Sequence, residues 1–506
     1  MLRQPMKTLL TEAPPVLHVR RLDTLYDAER AFVHLFGDSP NAFWLDSGRG
    51  DDSGRALDSS PTLDSRDGER ARFSFIGDSG GPLGAVISYD LDAGEVRVER
   101  GGEAEVFRES IFDYLSREMP RLRPRANALP FDFDCGFVGY FGYELKADCD
   151  GDAAHQSAMP DAAFVFADRL LAFDHLQRRT YVLCLTGADG DGEEGGEGWI
   201  AETCLLLASL PAAAEGDVDR PQAPVDFRLS RSHERYLEDI AAVRRRLVMG
   251  ETYEVCLTDR IVADVAPDPL PLYRTLRRVN PAPFSAFLRF GEVAVLSSSP
   301  ERFLGIGRDG WVEARPIKGT RRRGETPAED ARLAEELRAD EKSRAENVTI
   351  VDLLRNDLGI VCEVGTVEVP ELMRVETYET VHQLVSTVRG RLREDVGPPD
   401  CIRACFPPGS MTGAPKKRTM EIIDELEGEA RGVYSGAIGY LGLSGGCDLS
   451  VAIRTIVVDG ETTSIGAGGA IVMQSDPEEE YEEMLLKAWA PMRAIDPTIR
   501  IPRRPR

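Results

Sequence analysis

The second half of this chain carries short apolar segments, around residues 293–298, 311–315, 364–369, 434–442, 451–458 and 463–473, that no regular run of helices separates. Parallel strands need a crossover of a dozen or more residues between them. The spacing therefore argues against a doubly wound sheet and predicts an α+β fold built on antiparallel sheets. Helices punctuate these strands. Tyr236, Ile240, Val243 and Leu247 lie on one helical face that Gly250 can close, which predicts an amphipathic helix over 232–249. The following TYEVCLTDRIVADV is partly alternating and reads as a strand. Thr326-Pro327-Ala328-Glu329 combines an N-cap, a proline at the first helical position and a capping-box acid, and Asp476-Pro477-Glu478-Glu479 repeats that grammar before a helix reaching about Ala490.

A chain of 506 residues has ample length for a large core. Its clearest break is the acidic, Gly-rich ADGDGEEGGEG at 188–198, then an apolar helix candidate from Trp199 to Leu210 and the Pro-rich PAAAEGDVDRPQAPVD. This places a boundary near 211–227, giving an N-terminal region 1–227, a second region 228–496 and a tail 497–506. The polar stretch 46–72 is expected to be a surface loop. The opening MLRQPMKTLLTEAPPVL lacks the apolar core and cleavage site of a secretory signal, so the expected address is the cytoplasm. Nine scattered cysteines without a CxxC pair suggest neither a disulfide framework nor a zinc site.

Acidic residues outnumber basic ones 86 to 61, a net charge of −25, which argues against nucleic acid as a partner. An anionic substrate must be drawn in by a local site of Arg, Lys, backbone N–H groups or a metal. Only seven of the basic residues are lysines, at 7, 146, 318, 342, 416, 417 and 487. A lysine kept in an arginine-rich chain can mark a task that arginine cannot do.

Several constellations could carry chemistry, each with an ordinary structural alternative. Glu480 and Glu483 share a helix face where two carboxylates could hold a hard cation, although acids also crowd helix N-termini to complement the macrodipole. Lys487 stands four residues on, as an ion-pair partner or a supporting group. Glu346 lies on a largely apolar helix, as a ligand or a solvated acid. PPGSMTGAPKKR at 407–418 is a turn entering a helix, an anion site or a simple connection, and not a P-loop. Lys318 in RPIKGTRRR is a surface charge or, if desolvation lowers its pKa, a nucleophile. His382 is a proton handler or a structural histidine.

Their order carries more than any one of them. SSSPERFL (297–304), PIKGT (316–320), SRAENVTIVDLLRNDLG (343–359), VHQLVSTVRG (381–390), PPGSMTGAPKKRTMEIIDELE (407–427), YSGAIGYL (434–441), VAIRT (451–455) and SDPEEEYEE (475–483) together resemble the chorismate-utilising enzymes. Upstream, FWLDSG (43–48), RFSFIGD (72–78), LPFDFDCGFVGYFGYEL (129–145) and FDH (173–175) resemble the N-terminal region of the large components of anthranilate and aminodeoxychorismate synthases. The resemblance implies two antiparallel β-sheets packed as a sandwich with helices outside, and a cleft binding chorismate with Mg²⁺. It places Glu346, Glu480 and Glu483 as the magnesium ligands. Tyr434, Arg454, Gly468 and Lys487 match positions that hold the enolpyruvyl carboxylate, Ser410 lies beside the ring carboxylate, and His382 lies near the departing hydroxyl.

Within the family, anthranilate synthases carry PIAGT, whereas PIKGT resembles the aminodeoxychorismate-forming component I branch. The branch chemistry that this implies has neutral Lys318 attacking C2 of chorismate while Glu301 acts as general acid for loss of the C4 hydroxyl; ammonia then adds at C4 and expels the lysine. Isochorismate and salicylate synthases activate water with a lysine on the strand that here offers Glu254, so hydroxyl addition is disfavoured. Ser343 stands where many relatives have an acid, and Ala470 where many have glycine. The WLDS segment resembles a tryptophan-binding strand, with Ser47 as the candidate contact. The resemblance uses the whole chain and no nucleophilic-cysteine elbow is found, so ammonia is expected from a separate glutamine amidotransferase subunit, in a heterodimer, or directly from ammonium. The rival readings are anthranilate synthase component I and a chorismate-binding pseudoenzyme.

Overall fold

The computed structural model describes residues 14–47, 72–125, 128–187, 193–211, 224–378 and 381–500. Residues 48–71 of the expected loop at 46–72, most of the 211–227 linker and most of the 497–506 tail lie outside them, whereas Asp46 and Ser47 at the start of that loop are buried. The described strands form two large sheets, and every named strand pair is antiparallel.

The first sheet runs Val16–Leu22, Arg179–Thr186, Arg169–Asp174, Phe73–Asp78 and Asn41–Asp46. It continues through Phe284–Phe290, Val293–Ser299, Thr455–Val458, Thr463–Ile471, Glu254–Ala263 and Arg228–Leu229. The second runs Glu103–Phe107, Glu95–Arg100, Ala85–Asp90, Ala162–Ala167 and Gly136–Phe141. It continues through Ala437–Gly442, Cys447–Val451, Arg302–Ile306, Trp311–Ala314, Val381–Arg391 and Ile317–Arg322. Each sheet is thus stitched at one seam between an early and a late strand: Trp44 opposite Phe287 in the first, Gly139 opposite Gly439 in the second. The stretches on either side of residues 211–227 build both sheets jointly.

Strand alternation explains the layers. Phe43, Phe75, Leu170, Ala172 and Val295 face a core shared with residues of the second sheet, such as Ile87 and Phe137. Their neighbours Trp44, Ile76, Leu171, Phe173 and Leu296 point the other way, into a core closed by helices that include Ala28–Leu35, His233–Val248, Pro269–Val279 and Pro477–Ile495. Helices Ile111–Leu122, Glu341–Val361 and Pro398–Cys405 contribute Leu115, Ile350 and Ile402 to the core of the second sheet. The result is an α+β sandwich with helices outside. No described helix is long and apolar enough to cross a membrane.

Two strand expectations need correction. The run 451–458 is not one strand: Cys447–Val451 lies in the second sheet and Thr455–Val458 in the first, and the chain crosses between them through Arg454, whose φ is +52°. The strand expected at 364–369 is Glu368–Thr377, a largely half-exposed strand that alternates strictly and contains Pro370.

Ser47 follows the Asn41–Asp46 strand and is buried, its amide donating to Ser74 Oγ at 3.2 Å. Ser74 Oγ also meets Asp46 Oδ1 at 3.3 Å and His175 Nε2 at 2.8 Å. Arg277, on the late helix Pro269–Val279, ties this corner together by ion pairs to Asp46 at 2.8 Å and Glu29 at 2.6 Å, lying over the Trp44 ring. Removing one partner of a buried pair strands the other charge, so Arg277→Ala is expected to lower stability by roughly 3 kcal/mol, measured as a lower urea midpoint with unchanged slope.

Candidate active site

The site forms where the chain changes sheets. Ser299 ends a strand of the first sheet and Arg302 begins one of the second, so Glu301 sits at one crossover and Arg454 at another. The crossovers run side by side: Val451 N–H donates to the Glu301 carbonyl at 3.0 Å, and Ser298 N–H to the Arg454 carbonyl at 3.2 Å. Bends of this kind free side chains from both sheets.

Lys318 is buried near the start of the Ile317–Arg322 edge strand, and its Nζ donates to Glu254 Oε1 at 2.6 Å. Glu254 opens the Glu254–Ala263 strand of the opposite sheet, so this ion pair bridges the two sheets. Burial pulls the Lys318 pKa down, but Glu254 and Glu346 outweigh it and hold the ammonium well above the usual lysine range. Attack on C2 as a neutral amine therefore requires that a proton leave Nζ. Glu301 is buried nearby, with the Ser410 hydroxyl and the Ile317 N–H beside its carboxyl. Burial pushes its pKa up to about 7, against the pull of Ser410 and Lys318.

The expected metal ligands come from two facing helices. Glu346 lies on Glu341–Val361, and Glu480 and Glu483 lie on Pro477–Ile495, whose Asp476 cap and first-position proline follow the sequence reading. Burial pushes Glu346 up to about 7, a shift that Lys318 opposes and Glu254 reinforces. Glu483 is pulled down to about 2 by the Lys487 ammonium, 2.8 Å away, against the cost of burial. Lys342 inserts between the helices: it pairs with Glu480 Oε1 and lies 3.8 Å from Glu346. No three described His, Cys, Asp or Glu side chains converge closely enough here to share one ion, and Lys342 lies among these carboxylates. The residues still fit a hard divalent cation. All three donors are carboxylates, and the buried Oε2 of Glu480 accepts no hydrogen bond.

Lys487 also donates to the Gly468 carbonyl at 2.9 Å, and Arg454 Nη1 donates to the Lys487 carbonyl at 2.7 Å. Among the described residues, Arg454 has no carboxylate within ion-pair distance, so its guanidinium is available to an anion. Tyr434 is buried beside it, and its ring lies where a side chain at Gly466 would be, a Cβ there falling 2.1 Å from the ring. A Cβ on Gly469 would lie 3.5 Å from both Glu480 Oε2 and Lys487 Nζ, so bare backbone faces the carboxylates. The sequence reading named Gly468 and missed Gly469.

His382 is engaged otherwise. It lies opposite Arg321 in the neighbouring strand, with Nε2 at 2.9 Å from Asp330 Oδ1 and Nδ1 at 2.9 Å from Thr377 Oγ1. Ser343 turns its hydroxyl to Asp340, the cap of its own helix, at 2.5 Å. Ala470 is buried in the strand opposite Cys256. The structure thus brings Lys318, Glu301, Ser410, Glu346, Glu480, Glu483, Lys487, Gly468, Arg454 and Tyr434 into one linked neighbourhood, and adds Glu254 and Lys342. Lys342 was legible as one of seven lysines, four residues before Glu346 on a helix. Glu254 was legible only as the residue standing where the water-activating branches carry a lysine; its pairing with Lys318, 64 residues away in sequence, left no spacing signal.

The sequence profile of the chorismate binding enzymes matches residues 66–493. The chain belongs to that family. It is similar to an aminodeoxychorismate synthase of Streptomyces pristinaespiralis, 50% identical over 485 residues, which cover 95% of this chain and 65% of that protein. It is also similar to anthranilate synthase component 1 of Bacillus caldotenax, 36% identical, covering 85% of this chain and 87% of that protein. The fold matches the crystal structure of anthranilate synthase component I from Streptococcus pneumoniae TIGR4 with a TM-score of 0.72 and 30% identity, covering 87% of this chain and 94% of that one. This chain therefore spans just under two thirds of the length of the Streptomyces aminodeoxychorismate synthase it matches.

Proposed function

We propose that this chain converts chorismate and ammonia to 4-amino-4-deoxychorismate. The observation that carries the reading is Lys318, buried between two sheets with Glu254 in contact and Glu301 close by. Charge supports an anionic substrate. The site gathers five carboxylates (Glu254, Glu301, Glu346, Glu480, Glu483) against four cations (Lys318, Lys342, Lys487, Arg454). A divalent cation and one proton on Glu301 convert this one-charge deficit into an excess of two, which matches a dianion.

In this reading the Lys318 amine bonds to C2 of chorismate as the C4–O bond breaks, with Glu301 delivering the proton that makes the departing hydroxyl water. Ammonia bonds to C4, the C2–N bond breaks and its electron pair returns to Lys318. The new ammonium on C4 gives its surplus proton back to Glu301, and the enolpyruvyl group is kept. Arg454, Lys487, Tyr434 and the Gly468 backbone are assigned to the enolpyruvyl carboxylate, and Ser410 to the ring carboxylate beside Glu301. Glu301 rather than His382 is given the proton transfer, because both His382 ring nitrogens are engaged by Asp330 and Thr377. Glu346, Glu480 and Glu483 would hold Mg²⁺, which supplies positive charge for the substrate's carboxylate. Ammonia would come from ammonium or from a separate glutamine amidotransferase.

Product analysis tests this. With chorismate, Mg²⁺ and ammonium, aminodeoxychorismate without pyruvate is expected; anthranilate with pyruvate would overturn it in favour of the anthranilate synthase reading. Lys342 and Mg²⁺ compete for the same carboxylates, so Lys342→Met is expected to tighten Mg²⁺ binding about tenfold in a calorimetric titration without substrate.

A further inference from the structure

A nucleophilic lysine must be neutral when it attacks, and here it rests as an ammonium, so its proton needs a destination. Bulk water has poor access to it, since Lys318 and Glu254 are both buried. Several titratable groups among the described residues act on Lys318. They are Glu254 and Cys256 on the Glu254–Ala263 strand, Glu346 on the Glu341–Val361 helix, Glu483 on the Pro477–Ile495 helix, and Glu301 at the sheet crossover. Of these only Glu254 is hydrogen-bonded to Nζ, at 2.6 Å. Among the described residues nothing donates to its other oxygen, the buried Oε2, so the carboxylate is incompletely compensated. Glu301 cannot accept the Lys318 proton, since in the same step it must give a proton up.

We propose that Glu254 makes Lys318 a nucleophile, its Oε1 taking a proton from Nζ as the C2–N bond forms and returning it when that bond breaks. The proposal rests on the aminodeoxychorismate-forming reading above. The exchange balances. The ammonium and carboxylate become amine and carboxylic acid, the amine adds to C2, and after ammonia expels it the pair reverts to ammonium and carboxylate. Geometry suits a shuttle, because the proton moves along one existing hydrogen bond between two sheets and no side chain has to travel.

The test compares wild type with Glu254→Gln and Glu254→Asp, following aminodeoxychorismate in chorismate, Mg²⁺ and ammonium. Glu254→Gln keeps the shape but cannot accept the proton. It is expected to lower kcat about 100-fold with KM changed less than about threefold, and its rate relative to wild type should climb as the pH is raised and solvent base substitutes. Glu254→Asp is expected to recover to within about tenfold of wild type. A Glu254→Gln rate equal to or above wild type with a parallel pH profile would overturn the proposal and make Glu254 a mere counter-ion. If Glu254→Gln loses activity through misfolding, Glu254→Asp decides: no recovery in a variant with a wild-type melting temperature also overturns it. Failure of wild type to form aminodeoxychorismate would instead sink the functional reading itself.

Discussion

Lys318→Ala is expected to cut aminodeoxychorismate formation by at least about 10³-fold, because it removes the covalent route proposed above while leaving most of the pocket in place. Alanine cannot form the C2–N bond, and it leaves Glu254 buried without its cation. Ammonia then has access to C2, so the residual product is expected to shift towards anthranilate with release of pyruvate. Intact-protein mass spectrometry supplies a second readout. Wild type given chorismate and Mg²⁺ without ammonium should gain the mass of chorismate less one water, and Lys318→Ala should gain nothing. Aminodeoxychorismate at the wild-type rate from the variant would remove the lysine from the mechanism.

The second large effect belongs to Glu301. Burial raises its carboxyl to about 7, so it stays protonated and able to donate below that pH and loses the proton above it. Wild-type kcat/KM is expected to fall about tenfold per pH unit above neutrality. Glu301→Gln should lose that limb and about 10²–10⁴-fold in kcat. Stability moves the other way. A carboxyl raised above its unfolded value of 4.5 costs the fold stability as pH climbs from there towards 7. Glu301→Gln should therefore be more stable than wild type at pH 8 and equal to it at pH 4, as melting temperatures will show.

Helix grammar was legible because it is local. Asp476 and Thr326 cap the helices that their proline and acid signals announce, and the 232–249 expectation became His233–Val248. The strands misread were those whose fate is set by tertiary structure. At 451–458 a continuous apolar run hides a change of sheet, which only the left-handed Arg454 reveals. At Glu368–Thr377, Pro370 and one half-exposed face weaken every strand signal, and pairing with Val381–Arg391 overrides them. Among the site residues, those within short motifs were found by resemblance. Glu254 and Gly469 matter through what they approach across sheets, which no single segment records.

The two seams also dictate how this chain must be made. Asn41–Asp46 and Gly136–Phe141 leave the ribosome long before Phe284–Phe290 and Ala437–Gly442, the strands that complete their hydrogen bonding. Until synthesis catches up, each early half-sheet carries an open edge able to pair with any extended chain nearby. Assembly is therefore slow, because its decisive contacts close loops of hundreds of residues. Truncation near the 211–227 linker would leave both edges permanently unsatisfied and turn a folding intermediate into an aggregate.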